Sequence, residues 1–154
     1  MQPSWDPSGV LGVGAPYDWR TRPPAPQVIV VSSPPVSKGW SYQAPQDQLL
    51  QLVAVSAKLV TGAAVANRIP RLQVAGPGGQ LLLNTAPYTG VGASSSVVCC
   101  FAAYGVANML SDGYYQIGAP LPATFPPACV VSTGAGGITT GDQWSTVTLL
   151  AHLI

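Results

Sequence analysis

Residues 143–154, Gln-Trp-Ser-Thr-Val-Thr-Leu-Leu-Ala-His-Leu-Ile, alternate with a period of two. They place Val147, Leu149, Ala151 and Leu153 on one face and Thr146, Thr148, Leu150 and His152 on the other. That is the strand repeat, because successive side chains of a pleated strand point to opposite faces. Residues 49–60 have a Leu and Ala content that would suit a helix. Their odd positions Leu49, Val53, Val55, Ala57 and Leu59 nevertheless form an apolar face broken only by Gln51, which predicts a strand there too. Between these two segments, residues 71–75, 80–84, 96–104, 114–117 and 128–133 are short β-rich runs separated by Gly, Pro, Asn, Asp and Ser clusters. The spacing predicts an all-β chain: a single antiparallel β-sandwich, jelly-roll-like, of about seven or eight strands, with no helix needed to complete the core.

Residues 1–35 read differently. They are rich in proline, with Pro23-Pro24-Ala-Pro26 and Pro34-Pro35, and show no strand period except at Val28-Ile-Val-Val31. This composition favours extended, polyproline-like chain. A disordered tail is usually poor in aromatics, whereas this zone holds Trp5, Tyr17 and Trp19, so the sequence predicts an extended arm that lies on neighbouring subunits. Fully extended it reaches on the order of 100 Å, farther than the width of its own domain. The predicted division is therefore an arm over 1–35 and a β-sandwich domain over 36–154.

Charge changes the functional picture. Only 7% of the residues are Asp, Glu, Lys or Arg, against about 25% in ordinary soluble domains. All five acids are aspartates, and His152 is the one histidine, so acid/base chemistry has little raw material and no catalytic, cofactor or metal site is predicted. A surface this bare of charge is normally covered by partners, which points to a subunit of an assembly and to homo-oligomers. The net charge of +1 gives no reason to expect nucleic acid or a membrane surface as partner. No apolar run approaches the length of a membrane span, and the first residues lack the pattern of a signal peptide.

The remaining motifs favour plain structural readings. Adjacent Cys99 and Cys100 with distant Cys129 do not make a metal spacing, and they read as reduced, packed thiols; a disulfide from Cys129 to one of the pair is the alternative. Gly76-Pro-Gly-Gly79 lacks the lysine and hydroxyl of a phosphate loop and precedes a strand, so it predicts a hairpin, with Pro77 and Gly78 suiting a type II turn; Gly134-Ala-Gly-Gly137 reads likewise. Ser94-Ser-Ser96 has only His152 as a conceivable base. Asp112 and Asp142, each beside a glycine, read as turn residues. Trp40, Tyr42, Tyr88, Tyr104, Tyr114, Tyr115 and Trp144 share no register, which favours packing over a sugar platform.

Over about residues 38–150 the order of elements resembles a β-sandwich pattern of tailed-bacteriophage virion proteins. Its most specific parts here are Ala66-Asn-Arg-Ile-Pro70 and Thr140-Gly-Asp-Gln-Trp-Ser145. The resemblance implies a structural, non-enzymatic role in the virion, which is assembled in the host cytoplasm. It fits a capsid decoration or cement (minor capsid) protein bound to the major capsid protein or other virion subunits. A head-tail neck or tail protein of the same fold is one alternative and a carbohydrate-binding attachment module another. On this reading the candidate interface residues are Trp5, Tyr17, Trp19, Arg20 and Arg22 in the arm and Trp40, Arg68 and Arg71 in the sandwich. Arg68 and Arg71, three apart, fall on opposite faces of a strand, so one is expected to be solvated and the other to anchor a neighbour.

Overall fold

A computed structural model describes residues 25–87, 90–103, 108–110, 113–133 and 138–154. Among them lie eleven strands and no helix: β1 (Gln27–Val31), β2 (Ser41–Gln43), β3 (Leu50–Val60), β4 (Leu72–Ala75), β5 (Leu81–Thr85), β6 (Ser96–Ala102), β7 (Asn108–Leu110), β8 (Tyr114–Gly118), β9 (Ala123–Phe125), β10 (Val130–Ser132) and β11 (Gln143–Leu153). The larger sheet has the order β1-β11-β3-β6-β8-β7, with β9 also paired to β3, and the smaller has the order β2-β10-β4-β5. With β7, β8 and β9 set aside, the eight remaining strands fall in the order first-eighth-third-sixth in one sheet and second-seventh-fourth-fifth in the other. That is the pair of interleaved Greek keys of a jelly roll, and every pairing within it is antiparallel.

The inserted strands depart from the purely antiparallel expectation. β8 runs parallel to β6, because the chain leaving β6 first forms β7 on the far side of β8 and returns antiparallel to it. A parallel neighbour needs such a crossover rather than a tight hairpin. The seven predicted runs correspond to β3, β4, β5, β6, β8, β10 and β11; the four further strands are β1, which lies in the proline-rich zone, and β2, β7 and β9, each of three residues and too short to show a period in sequence.

Apolar alternation builds the core, but two bulges reset its phase. In β3 the buried residues are Leu50 and Leu52, then Val55, Ala57 and Leu59. The phase changes because Leu150 pairs with Ala54 and Ala151 with Leu52, leaving Val53 as an extra residue. Leu49 is therefore 41% exposed, and Val53 leaves the core face on which the simple alternation had put both. In β11, Trp144 pairs with Leu59 and Val147 with Ala57, so Ser145 and Thr146 together oppose Lys58. This second bulge brings Trp144 onto the same buried face as Val147, Leu149 and Ala151. Each large aliphatic or aromatic side chain so buried contributes about 1.5–3 kcal/mol relative to exposure.

Residues 27–31, assigned by sequence to the arm, belong instead to the sandwich. β1 pairs with β11 over five positions from Gln27↔Ala151 to Val31↔Val147, with Ile29 and Val31 packed against the core. Proline density there marks an edge strand bounded by Pro26 and Pro34, since proline cannot serve as a donor in a central ladder. The rest of the predicted arm, residues 1–24, lies outside the described residues. The β4–β5 hairpin forms at Gly76-Pro-Gly-Gly79, closed by the Gly79 N–H donating to the Gly76 carbonyl at 2.9 Å. Its left-handed residue is Gly79 (φ 80°) rather than Gly78, which fits a type I turn followed by a glycine bulge instead of the expected type II turn.

Candidate functional site

Arg68 and Pro70 continue inward the alternation of β4, so Arg68 points between the sheets and is 0% exposed. Its backbone is held by a two-way bridge to Val91, with bonds of 3.1 and 2.7 Å. Its Nε and Nη2 donate to the two carboxylate oxygens of Asp142, each at 3.0 Å, the fork-on-fork geometry that makes arginine–carboxylate pairs strong. Nη1 donates to the Ala66 carbonyl at 2.8 Å and Nη2 to the Thr139 hydroxyl at 2.7 Å. That hydroxyl in turn donates to Asp142 Oδ2 at 3.0 Å. Asp142 also accepts the backbone N–H groups of Gly62 and Thr139, at 2.8 and 2.7 Å.

Burial alone would raise the Asp142 carboxyl pKa, but hydrogen bonds from Arg68 and from Thr139 and Gly62 outweigh it and hold the pKa at about 2. A carboxylate so fully engaged is a poor base, and the pair is structural. Close backbone approach makes it: a Cβ on Gly62 would lie 3.1 Å from the Gly141 carbonyl carbon, and Gly141 itself has φ 88°. The two segments that carry the resemblance, 66–70 and 140–145, thus meet in space through one ion pair. Asp142, read from sequence as a turn residue, was the missed partner. The pairing of the only arginine in one motif with the only acid in the other was the available signal.

The outer face of the larger sheet is the second feature. Its cross-strand register aligns Val30, Thr148, Ser56, Cys100 and Gln116 in one row, and Val28, Leu150 and Ala54 in another. Residues directly opposite across a ladder share a face. Val28 and Val30 are 64% and 63% exposed. Among the eleven described strands Lys58 is the one formally charged side chain; it falls on this same face, in phase with Ala54 and Ser56, so the face mixes exposed valines with neutral polar groups and carries a single charge, few for a free surface. A cavity of about 360 Å³ opens in it beside β3, lined by Val53, Ala54, Cys100, Ala102, Gln116 and Pro122 among others.

Of the sequence-predicted interface residues, Trp40, Arg68 and Arg71 lie among the described residues. Trp5, Tyr17, Trp19, Arg20 and Arg22 lie outside the described residues. Trp40 is 3% exposed and belongs to the core. Arg68 is sealed by Asp142, so neither the solvated nor the neighbour-anchoring role fits it; the alternation that turns Arg71 the other way leaves that residue half-buried. Tyr115 and Trp144 are buried in the core, which removes them from any sugar platform, while Tyr88 and Tyr104 lie outside the described residues. All three cysteines are unpaired thiols, and burial together with neighbouring Cys100 pushes Cys99 up to about 12. Among the described residues no three His, Cys, Asp or Glu side chains gather as a metal site requires, and no helix is long and apolar enough to cross a membrane.

No family model matches the chain, and no curated protein matches it. Among solved structures it is similar to chains of infectious bursal disease virus. The Gx strain structure has a TM-score of 0.31 at 14% identity, covering 84% of this chain and 33% of that one. The Gt strain structure has 0.31 at 11%, covering 83% and 32%, and the VP2 subviral particle 0.30 at 12%, covering 84% and 33%. The chain thus spans about a third of the length of those chains. A likeness this slight says nothing of what the chain binds.

Proposed function

We propose that the chain is a non-enzymatic structural subunit of a virion, acting as a capsid decoration or cement protein that joins neighbouring subunits. The observation that carries this reading is the charge-poor outer face of the larger sheet, where Val28 and Val30 stand exposed at an edge strand and Lys58 is the one charged side chain. A face of that kind is stabilised by burial against another protein rather than by water. Its partners on this reading are the major capsid protein or other virion subunits and further copies of itself, in particles put together in the host cytoplasm. Residues 1–24, ahead of β1, supply a second attachment, and two linked attachments bind far more tightly than either alone.

The test is to add purified full-length chain to particles that lack it and count bound copies, with Val28→Lys/Val30→Lys beside it. Many saturable copies over the shell, reduced in the double variant, support the cement role. A few copies at a single vertex point instead to the neck or tail, and no binding together with glycan binding points to an attachment module.

A further inference from the structure

The loop after β3, Gly62-Ala-Ala-Val-Ala-Asn67, carries no charge and presents Val65 at 98% exposure. The next most exposed large apolar side chain among the described residues, Val28, stands at 64%. Both ends of the loop are anchored. The Gly62 N–H donates to Asp142 Oδ1 at 2.8 Å, and the Gly62 carbonyl accepts the Ser94 N–H at 2.9 Å. At the other end the Ala66 carbonyl accepts Arg68 Nη1 at 2.8 Å, and the Asn67 side chain fills the space that a side chain on Gly90 would need. The buried ion pair thus grips the loop on either side, and Ala63, Ala64 and Val65 stand out from it as an apolar knob. With the ends held beforehand, burying the tip against a partner costs little further ordering of the chain.

The outer face of the larger sheet carries a matching hollow. The bulge at Val53 brings Val53 and Ala54 together into one wall of the cavity of about 360 Å³; Cys100, Ala102 and Pro122 extend it, and Gln116 supplies its polar group. A space of that size takes several small aliphatic side chains, whereas one amide gives a polar ligand little to be oriented by. No formally charged side chain belongs to either the knob or the hollow, so two copies meet there without like-charge repulsion. A chain cannot fill its own hollow with its own knob. From Ala54 to Val60 is six residues of strand, about 20 Å, and the loop starts beyond that with both ends fixed.

We propose that copies of the chain associate by seating the Val65 knob of one in the outer-face cavity of another. Knob and hollow are different patches, so each copy both gives and receives. One such contact covers far less than the roughly 800 Å² per partner of a stable complex, so the association is weak and is best trapped covalently. It requires a second copy of this chain and nothing else, and stands apart from the virion reading.

Cys100 lines the hollow and serves as the trap, while Cys99 and Cys129 are 0% exposed. Full-length Val65→Cys is treated with oxidised glutathione beside Val65→Cys/Cys100→Ser and beside Leu81→Cys, a control in β5 at a side chain 57% exposed. Linked peptides are assigned by mass spectrometry. The expected result is a disulfide from position 65 of one copy to Cys100 of another, formed at least tenfold faster than the link from position 81 and lost in the double variant. Val65→Asp, a change in open solvent that leaves the melting temperature in place, is expected to self-associate less in sedimentation velocity over a concentration series. A 65-to-100 link no faster than the 81-to-100 link overturns the proposal, as do links between two copies of position 65 alone or unchanged self-association of Val65→Asp. Formation of the 65-to-100 link by a chain that fails to bind particles supports this contact and strikes the virion reading alone.

Discussion

Arg68 and Asp142 stand 74 positions apart in the chain and are joined by two parallel hydrogen bonds of 3.0 Å with no solvent access to either side chain. The pair fastens the segment leading into β4 to the turn leading into β11, and so ties a strand of the smaller sheet to one of the larger. In a chain with only six cations, one is committed to the interior, where removing its partner leaves a desolvated charge.

Arg68→Ala and Asp142→Ala are each expected to lower unfolding free energy by about 3–5 kcal/mol. Arg68→Lys recovers only part of this, since an ammonium cannot reproduce the fork. Urea denaturation of the three variants checks the order, and a loss below 1 kcal/mol for either alanine would show the pair to be dispensable.

The depressed carboxyl value sets the acid limb of stability. Asp142 titrates at about 2 in the fold against an ordinary 3.8. Its contribution is therefore fully present above about pH 4 and is lost as pH falls from there toward 2, amounting to about 2 kcal/mol. Stability measured at intervals through that window should decline in the native chain, with a smaller slope in Asp142→Asn.

Backbone geometry around the pair leaves no room for a side chain. Gly141→Ala places an L-residue at φ 88°, a cost of about 1–2 kcal/mol. Gly62→Ala pushes a methyl to 3.1 Å from the Gly141 backbone and the Thr140 carbonyl, an overpacking cost of about 1–3 kcal/mol. Thermal melts read both, and a stabilising Gly62→Ala would mean the two strands part easily.

How much of this was legible beforehand varies with the element. The period-two runs of β3 and β11 announced a sandwich, and the phase within them did not, because a one-residue bulge at Val53 leaves no compositional mark. β1 was hidden among prolines that its edge position tolerates. The ion pair was hidden differently: Arg68 and Asp142 look like a strand-edge cation and a turn acid until the fold puts them together. Trp40, offered as a surface anchor, is core, and the sequence did not show it because β2, which follows it, is too short for an alternation to be read.

On the outer face, Val28→Lys/Val30→Lys is expected to change stability by less than about 0.5 kcal/mol, since both side chains already meet water. Self-association should fall with it. Sedimentation velocity over a concentration series gives the result, and an unchanged distribution would show that copies of the chain do not meet through this edge.

The antiparallel pairing of β1 with β11 also fixes how the molecule answers a pull. Gln27 sits opposite Ala151, at the same end of the ladder as the C-terminal residues. A tug on residue 27 resisted at Ile154 peels the five rungs apart one after another, like a zip. The same tug resisted through the outer face near Val31 runs along the strand and loads all five rungs together in shear. A subunit gripped by that sheet and by the chain ahead of β1 is thus anchored in its stiff direction, whereas one held only by its two ends opens at low force.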